Sequence, residues 1–167
     1  LAMCVVLIQI SANFPACEIL TAVVLWSRGQ MAESHLEFTR PAHVVGRYAL
    51  YGRLAAGGMA TVHRAEQRGV EGFSKLIALK RLLPSVADDP TMVRAFVYEA
   101  RLASNLHHTN VAETYDLGKV RDTYFIAMEY IAGPTLTQVM KQCASAAGPM
   151  PIPIAMAILG QICDALD

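Results

Sequence analysis

The run Ile77-Ala78-Leu79-Lys80 constrains this chain more than any other, because an apolar strand ending in a single lysine must find that lysine a place. Side chains alternate along a strand, so Ile77, Leu79 and Arg81 share one face while Ala78 and Lys80 share the other. Lys80 therefore stands beside a small residue on a half-covered surface. Nineteen residues on, Glu99 interrupts an apolar helical stripe of Met92, Phe96, Ala103 and Leu106. It falls at +7 from Met92, on the face that Phe96 occupies at +4 and Ala103 at +11. A carboxylate facing a core calls for a cation, since an unpaired buried charge costs several kcal/mol or neutralises. Lys80 is the nearest upstream candidate. A solvated lysine at a strand end and a glutamate with its head in water would fit the same spacing. The flanking sequence decides between the two.

Composition sets wide bounds. The 167 residues have room for one domain or two small lobes. A hydrophobic content of 54% with 17% charged residues and zero formal net charge suits a well-buried core. It argues against an electrostatic grip on nucleic acid or on anionic lipid. Cys4, Cys17, Cys143 and Cys163 form no C-x-x-C pair and have no histidine at ligand spacing. Free thiols in a reducing, cytoplasmic compartment are expected, rather than disulfides or zinc.

Residues 1–30 differ from the rest. The apolar runs Val5 to Ile8 and Ile19 to Trp26 are separated by Asn13, Pro15 and Glu18. Neither reaches the roughly 18–20 residues of a membrane span, and no basic segment precedes the first. Met31-Ala32-Glu33-Ser34 resembles a protein start, so residues 1–30 are read as an extension outside the native coding region, with a membrane anchor over residues 1–26 as the minority reading. Residues 31–46 form a polar leader.

From Arg47 the pattern is strand-like. Tyr48 to Leu54 and Thr61 to Ala65 are expected strands around the glycine pair Gly57-Gly58. Such a pair is first of all a hairpin turn; it can also be a flap whose N–H groups close on phosphates with no side chain in the way. A dinucleotide-binding fingerprint would open a helix after its glycines, whereas Thr61-Val62-His63 continues as strand. A Walker loop would need Gly-Lys-Ser/Thr, which is missing. Asp88-Asp89-Pro90 supplies an N-cap and a first-turn proline for the Glu99 helix, expected to end near Leu106. His107 and His108 read as turn residues, since a metal would need further ligands. Strands are expected over Val111 to Leu117 and Tyr124 to Tyr130, helices over Thr135 to Gln142 and Ile154 to Leu166.

Five segments in this order resemble the small lobe of the protein kinase family, in its bacterial, eukaryote-like serine/threonine branch. They are the loop Leu54-Ala55-Ala56-Gly57-Gly58-Met59-Ala60-Thr61-Val62, the strand Ile77 to Lys80, the helix with Glu99, the turn His108-x-Asn110, and Met128-Glu129-Tyr130-Ile131. The resemblance implies an α+β fold: a twisted, antiparallel five-stranded sheet plus one helix over residues 47–131. A hinge and the truncated start of a large lobe would follow over residues 132–167.

By the same resemblance the cofactor is ATP. Lys80 would hold its α and β phosphates with Glu99 as ion-pair partner, and the backbone around Gly57 and Gly58, within the cofactor-binding loop of residues 54–61, would cover them. Val62 and Ala78 would sandwich the adenine, Met128 would stand at the back of the pocket, and the Glu129 carbonyl and Ile131 amide would meet the base edge. Mg²⁺ belongs to the full-length enzyme, which would transfer the γ-phosphoryl group to protein hydroxyls.

There are departures. The G-x-G-x-x-G pattern reads Ala55-x-Gly57-x-x-Ala60, which would cost about 1–2 kcal/mol if either alanine needed positive φ and would merely stiffen the flap otherwise. Thr135 stands where many relatives place an acid near the ribose. Ala103 and Thr114 replace larger apolar groups behind the helix. Neither the H-R-D catalytic loop nor the metal-binding D-F-G is present. His63-Arg64-Ala65 and Asp116-Leu117-Gly118 mimic them from strands ahead of the hinge. The fragment is therefore expected to catalyse nothing by itself, and a non-catalytic binding or scaffold module is the alternative reading.

Overall fold

A computed structural model describes residues 41–146 and 148–166. They form two compact units, one of residues 41–108 and 112–130, the other of residues 109–111 and 131–166.

The first unit is an antiparallel sheet with one helix. Its strands are β1 (His43–Val45), β2 (Tyr48–Ala56), β3 (Ala60–Arg68), β4 (Ser74–Leu82), β5 (Thr114–Val120) and β6 (Thr123–Glu129), in the order β1-β2-β3-β4-β6-β5. The sequence predicts five strands. The sixth is β1, inside the stretch read as a polar leader, where a three-residue strand has too little alternation to stand out. Gly46 makes the tight return to β2 with φ +58°, a conformation that costs glycine nothing. β2 and β3 are also longer than expected, so Ala55 and Ala56 are strand residues and the loop shrinks to residues 57–59. β5 starts three residues later than read, at Thr114, and its turn into β6 is only Arg121-Asp122.

Alternation on β4 is as predicted. Ile77 and Leu79 join Val45, Tyr48, Leu50, Ala65, Phe125 and Ala127 in one core cluster. On the opposite face Leu82, Ala60 and Ile126 pack against Phe96 and Ala100 of the helix α1 (Pro90–Ala103). The Tyr48 hydroxyl donates to Asp116 Oδ2 at 2.8 Å, tying β2 to β5, and burial pushes that phenol above its usual range.

The start of α1 is as read: Asp89 caps it by accepting from the Thr91 amide at 2.8 Å, with Pro90 in the first turn. Its buried stripe is not. Phe96 and Ala100 are buried with Val93 partly so, while Met92 and Leu106 are exposed. The helix stops at Ala103, which leaves Leu106 outside it. Glu99 thus sits at the margin of the buried face rather than at its centre.

The second unit contains α2 (Leu136–Ala146) and α3 (Ile152–Leu166), with Val139, Cys143 and Ile158 buried. Thr135 and Gln138 form a reciprocal cap at the head of α2. The Thr135 amide donates to Gln138 Oε1 at 2.7 Å, and the Gln138 amide donates to Thr135 Oγ1 at 3.3 Å. No described helix is long and apolar enough to cross a membrane. The expectations for residues 1–30, and for Cys4 and Cys17, lie outside the described residues.

Candidate functional site

Lys80 lies within β4, opposite Val62 on β3 and Ile126 on β6. Its Nζ donates to Glu99 Oε1 at 2.5 Å, and each side chain is only 13% exposed. The Phe96 ring centroid lies 5.7 Å from the ammonium. The pairing inferred from two isolated charges therefore forms. Screening is weak at such low exposure, so each charge depends on the other. A paired lysine still has two further N–H donors, which an anion can take.

The residues around it follow from strand register. Cross-strand partners share a face, so Val62, Ala78 and Lys80 stand together, with Met128 opposite Ala78. Ala78 is 7% exposed, and Met128 packs partly buried against the Phe96 cluster. Thr61 has the opposite parity. Its side chain is buried on the other face, 3.1 Å from His63 Nε2, so only its backbone belongs with the loop. Arg64 shares the Ala78 face and is itself buried. Arg64, which in sequence stands out only within the H-R-D mimic, falls two residues on from Val62 and so on the same face.

The glycine loop is compact. The Gly57 amide donates to the Ala60 carbonyl at 2.8 Å, and the Leu83 amide donates to the Met59 carbonyl at 2.9 Å. Among the described non-glycine residues only Glu71 and Arg121 have positive φ, so Ala55 and Ala60 fit without strain. Ala60 is buried in the Phe96 cluster, while Leu54, Ala55 and Ala56 are exposed. Neither Gly57 nor Gly58 has a left-handed φ, and a Cβ at Gly58 would meet nothing within 4 Å.

The remaining site residues are more scattered. The Glu129 amide donates to the Glu113 carbonyl at 2.8 Å, and its carboxylate accepts from the Glu113 amide at 3.3 Å. Ile131 belongs to the second unit. There, the Asn110 side-chain amide donates to the Gln161 carbonyl at 3.0 Å, giving the turn asparagine a structural role. Thr135 is taken up by capping. Asp116, the acid of the D-F-G mimic, is a β5 residue that accepts from Tyr48 and from Arg47 at 3.2 Å. Among the described residues no three His, Cys, Asp or Glu side chains gather as a metal site.

Comparison with known proteins bears on the family and the fold. The family model described as protein tyrosine and serine/threonine kinase matches residues 48–167. Tyrosine-protein kinase MasK of Myxococcus xanthus is 35% identical over 114 residues, covering 68% of this chain and 18% of its own length. Serine/threonine-protein kinase PrkC of Bacillus subtilis is 37% identical over 123 residues, covering 74% of this chain and again 18% of its own. The chain thus spans about a fifth of the length of these curated relatives. The crystal structure of the Mycobacterium tuberculosis PknI kinase domain superposes with a TM-score of 0.61 at 28% identity, covering 76% of this chain and 49% of that one. The chain belongs to the protein kinase family, and its matched residues correspond to the N-terminal portion of a bacterial, eukaryote-like kinase domain.

Proposed function

We propose that the face carrying Val62, Ala78, Lys80 and Glu99 binds ATP, as the nucleotide-holding part of a protein serine/threonine kinase. The observation that carries this is the Lys80–Glu99 pair, formed at 2.5 Å with both side chains largely withdrawn from water. Glu99 fixes where the ammonium sits, and the remaining N–H donors of Lys80 face phosphate oxygens. Val62 and Ala78 offer the small apolar surface that an adenine ring needs, with Met128 beside them.

The glycine loop supports the same reading. The fold would accept a Cβ at Gly58, so the space that glycine leaves open serves something other than the chain's own packing. ATP supplies the γ-phosphoryl group when bound. The chain's own part is to hold and orient it, since residues 47–167 contain neither an H-R-D nor a D-F-G segment. Serine and threonine hydroxyls are the proposed acceptors, by analogy with PrkC. The 167-residue chain alone is proposed to transfer no phosphoryl group.

Two variants test the site by calorimetric titration with ATP and with adenosine. Lys80→Ala is expected to weaken ATP about tenfold or more while leaving adenosine nearly unchanged, because a charge-assisted contact to phosphate is lost. Gly58→Ala is expected to leave folding stability within about 1 kcal/mol, or to raise it, while weakening ATP. Equal losses for ATP and adenosine in Lys80→Ala would place the phosphates elsewhere.

A further inference from the structure

The sheet face that carries Leu50, Ala65, Ile77 and Leu79 is apolar at its centre and turns basic toward the glycine loop. Arg53 on β2 stands opposite His63 on β3, and Arg81 on β4 stands opposite Thr61. His43 on β1 stands opposite Leu50 on the same face. Four basic side chains thus approach from four strands. Arg81, Arg53 and His43 all act electrostatically on the His63 ring.

Like charges repel, and among the described residues nothing here offsets them. Among the described residues no carboxylate forms an ion pair with Arg53, His63 or Arg81. The acids that share the face are committed elsewhere, Asp116 to Tyr48 and Arg47 and Glu129 to the Glu113 amide. The buried Arg81 Nε has no hydrogen-bond partner among the described residues, which costs about 1–3 kcal/mol unless a ligand satisfies it. This face therefore carries an unmet buried donor beside unbalanced charge.

We propose that Arg53, His63 and Arg81, with Thr61 beside them, form a binding site for a phosphoryl oxyanion on the face of the sheet opposite Lys80. Guanidinium groups fit tetrahedral oxyanions through paired N–H donors, and a dianion balances two of them where a single carboxylate cannot. Burial first, then Arg81, holds His63 below the usual histidine range, with Arg53 and His43 adding to the effect and a backbone hydrogen bond to Tyr51 opposing it. An anion between the guanidiniums reverses the sign of that field. His63 then gains a proton and adds a third positive charge beside the anion, so anion binding and proton uptake are linked. The phosphoryl group could be free phosphate or a phosphorylated side chain, with the same chemistry.

The test records the His63 ring by ¹H–¹⁵N NMR in the 167-residue chain across the histidine titration range. Inorganic phosphate is compared with chloride at equal ionic strength. Phosphate is expected to raise the His63 titration midpoint by about one unit, which is about tenfold tighter binding to the protonated ring. The Lys80→Ala chain keeps that shift, which separates it from the nucleotide face. Arg81→Gln is expected to weaken phosphate about tenfold, and Arg121→Gln, on the exposed β5–β6 turn, to leave it unchanged. Phosphothreonine binding more tightly than phosphate would identify a phosphorylated side chain as the source; the reverse order would identify the free anion. An unmoved His63 titration overturns the site. So does a ring already protonated at neutral pH without phosphate, which would mean that a carboxylate of the chain fills it.

Discussion

Lys80→Met is expected to lower the stability of the chain by about 3 kcal/mol, because it strands the Glu99 carboxylate beside Phe96 with no cation to balance it. The two side chains are 13% exposed, so water can solvate the orphaned charge only in part. The informative comparison is with the double variant Lys80→Met, Glu99→Leu. Replacing both members by apolar groups of similar size removes the uncompensated charge and is expected to recover most of the loss. Urea denaturation of the wild type, both single variants and the double variant closes a cycle, and a coupling of about 1–3 kcal/mol is the expected result. Losses that simply add would mean that the pair contributes no mutual stabilisation. The consequence for function is that the pair is kept for placement of the ammonium, since a hydrophobic pair would hold the fold about as well.

Gly118→Ala is expected to cost about 2 kcal/mol through overpacking, although the position is a strand glycine with ordinary backbone geometry. A Cβ there would lie 2.3 Å from Phe125 Cζ and 2.8 Å from Cε1, well inside contact distance. Phe125 stands directly opposite on β6, is 4% exposed, and meets the Tyr48 ring edge-on at 5.2 Å. It has nowhere to go without disturbing the Leu50–Leu79 core. Gly118→Ala with Phe125→Leu is expected to regain part of the loss, which thermal melts of the two variants would show. A Gly118→Ala chain as stable as wild type would mean that the ring shifts freely.

The pair of residues behind the first prediction was legible from sequence because charge is rare in an apolar pattern. One lysine on a strand and one glutamate on a helical stripe point at each other before any fold is known. The glycine behind the second was not legible. Gly118 first stood out as the end of a D-L-G triplet, and only its register against Phe125 shows what its missing side chain makes room for. The same limit explains the misread stripe on α1. Met92 and Leu106 have the right spacing, but the helix ends at Ala103 and the sheet beneath it covers Phe96 and Ala100 instead. β1 is too short to show alternation, and Thr61 enters the site reading through its place in the glycine loop when its parity on β3 puts its side chain on the opposite face. Local pattern gives the elements; which neighbour covers which face comes from the pairing of distant strands.

The account rests on Lys80 lying against the phosphates of bound ATP. The most direct measurement is labelling of the chain with an ATP analogue whose terminal phosphate carries an acyl group, which passes to whichever lysine amine lies beside the phosphates. Lys75, Lys119 and Lys141 are the chain's other lysines and serve as internal controls. Acylation is expected to concentrate on Lys80 and to be suppressed by excess ATP, and by adenosine only at higher concentration, as read by peptide mass spectrometry. Labelling spread evenly over the four lysines, or labelling of Lys80 that ATP does not suppress, would contradict it.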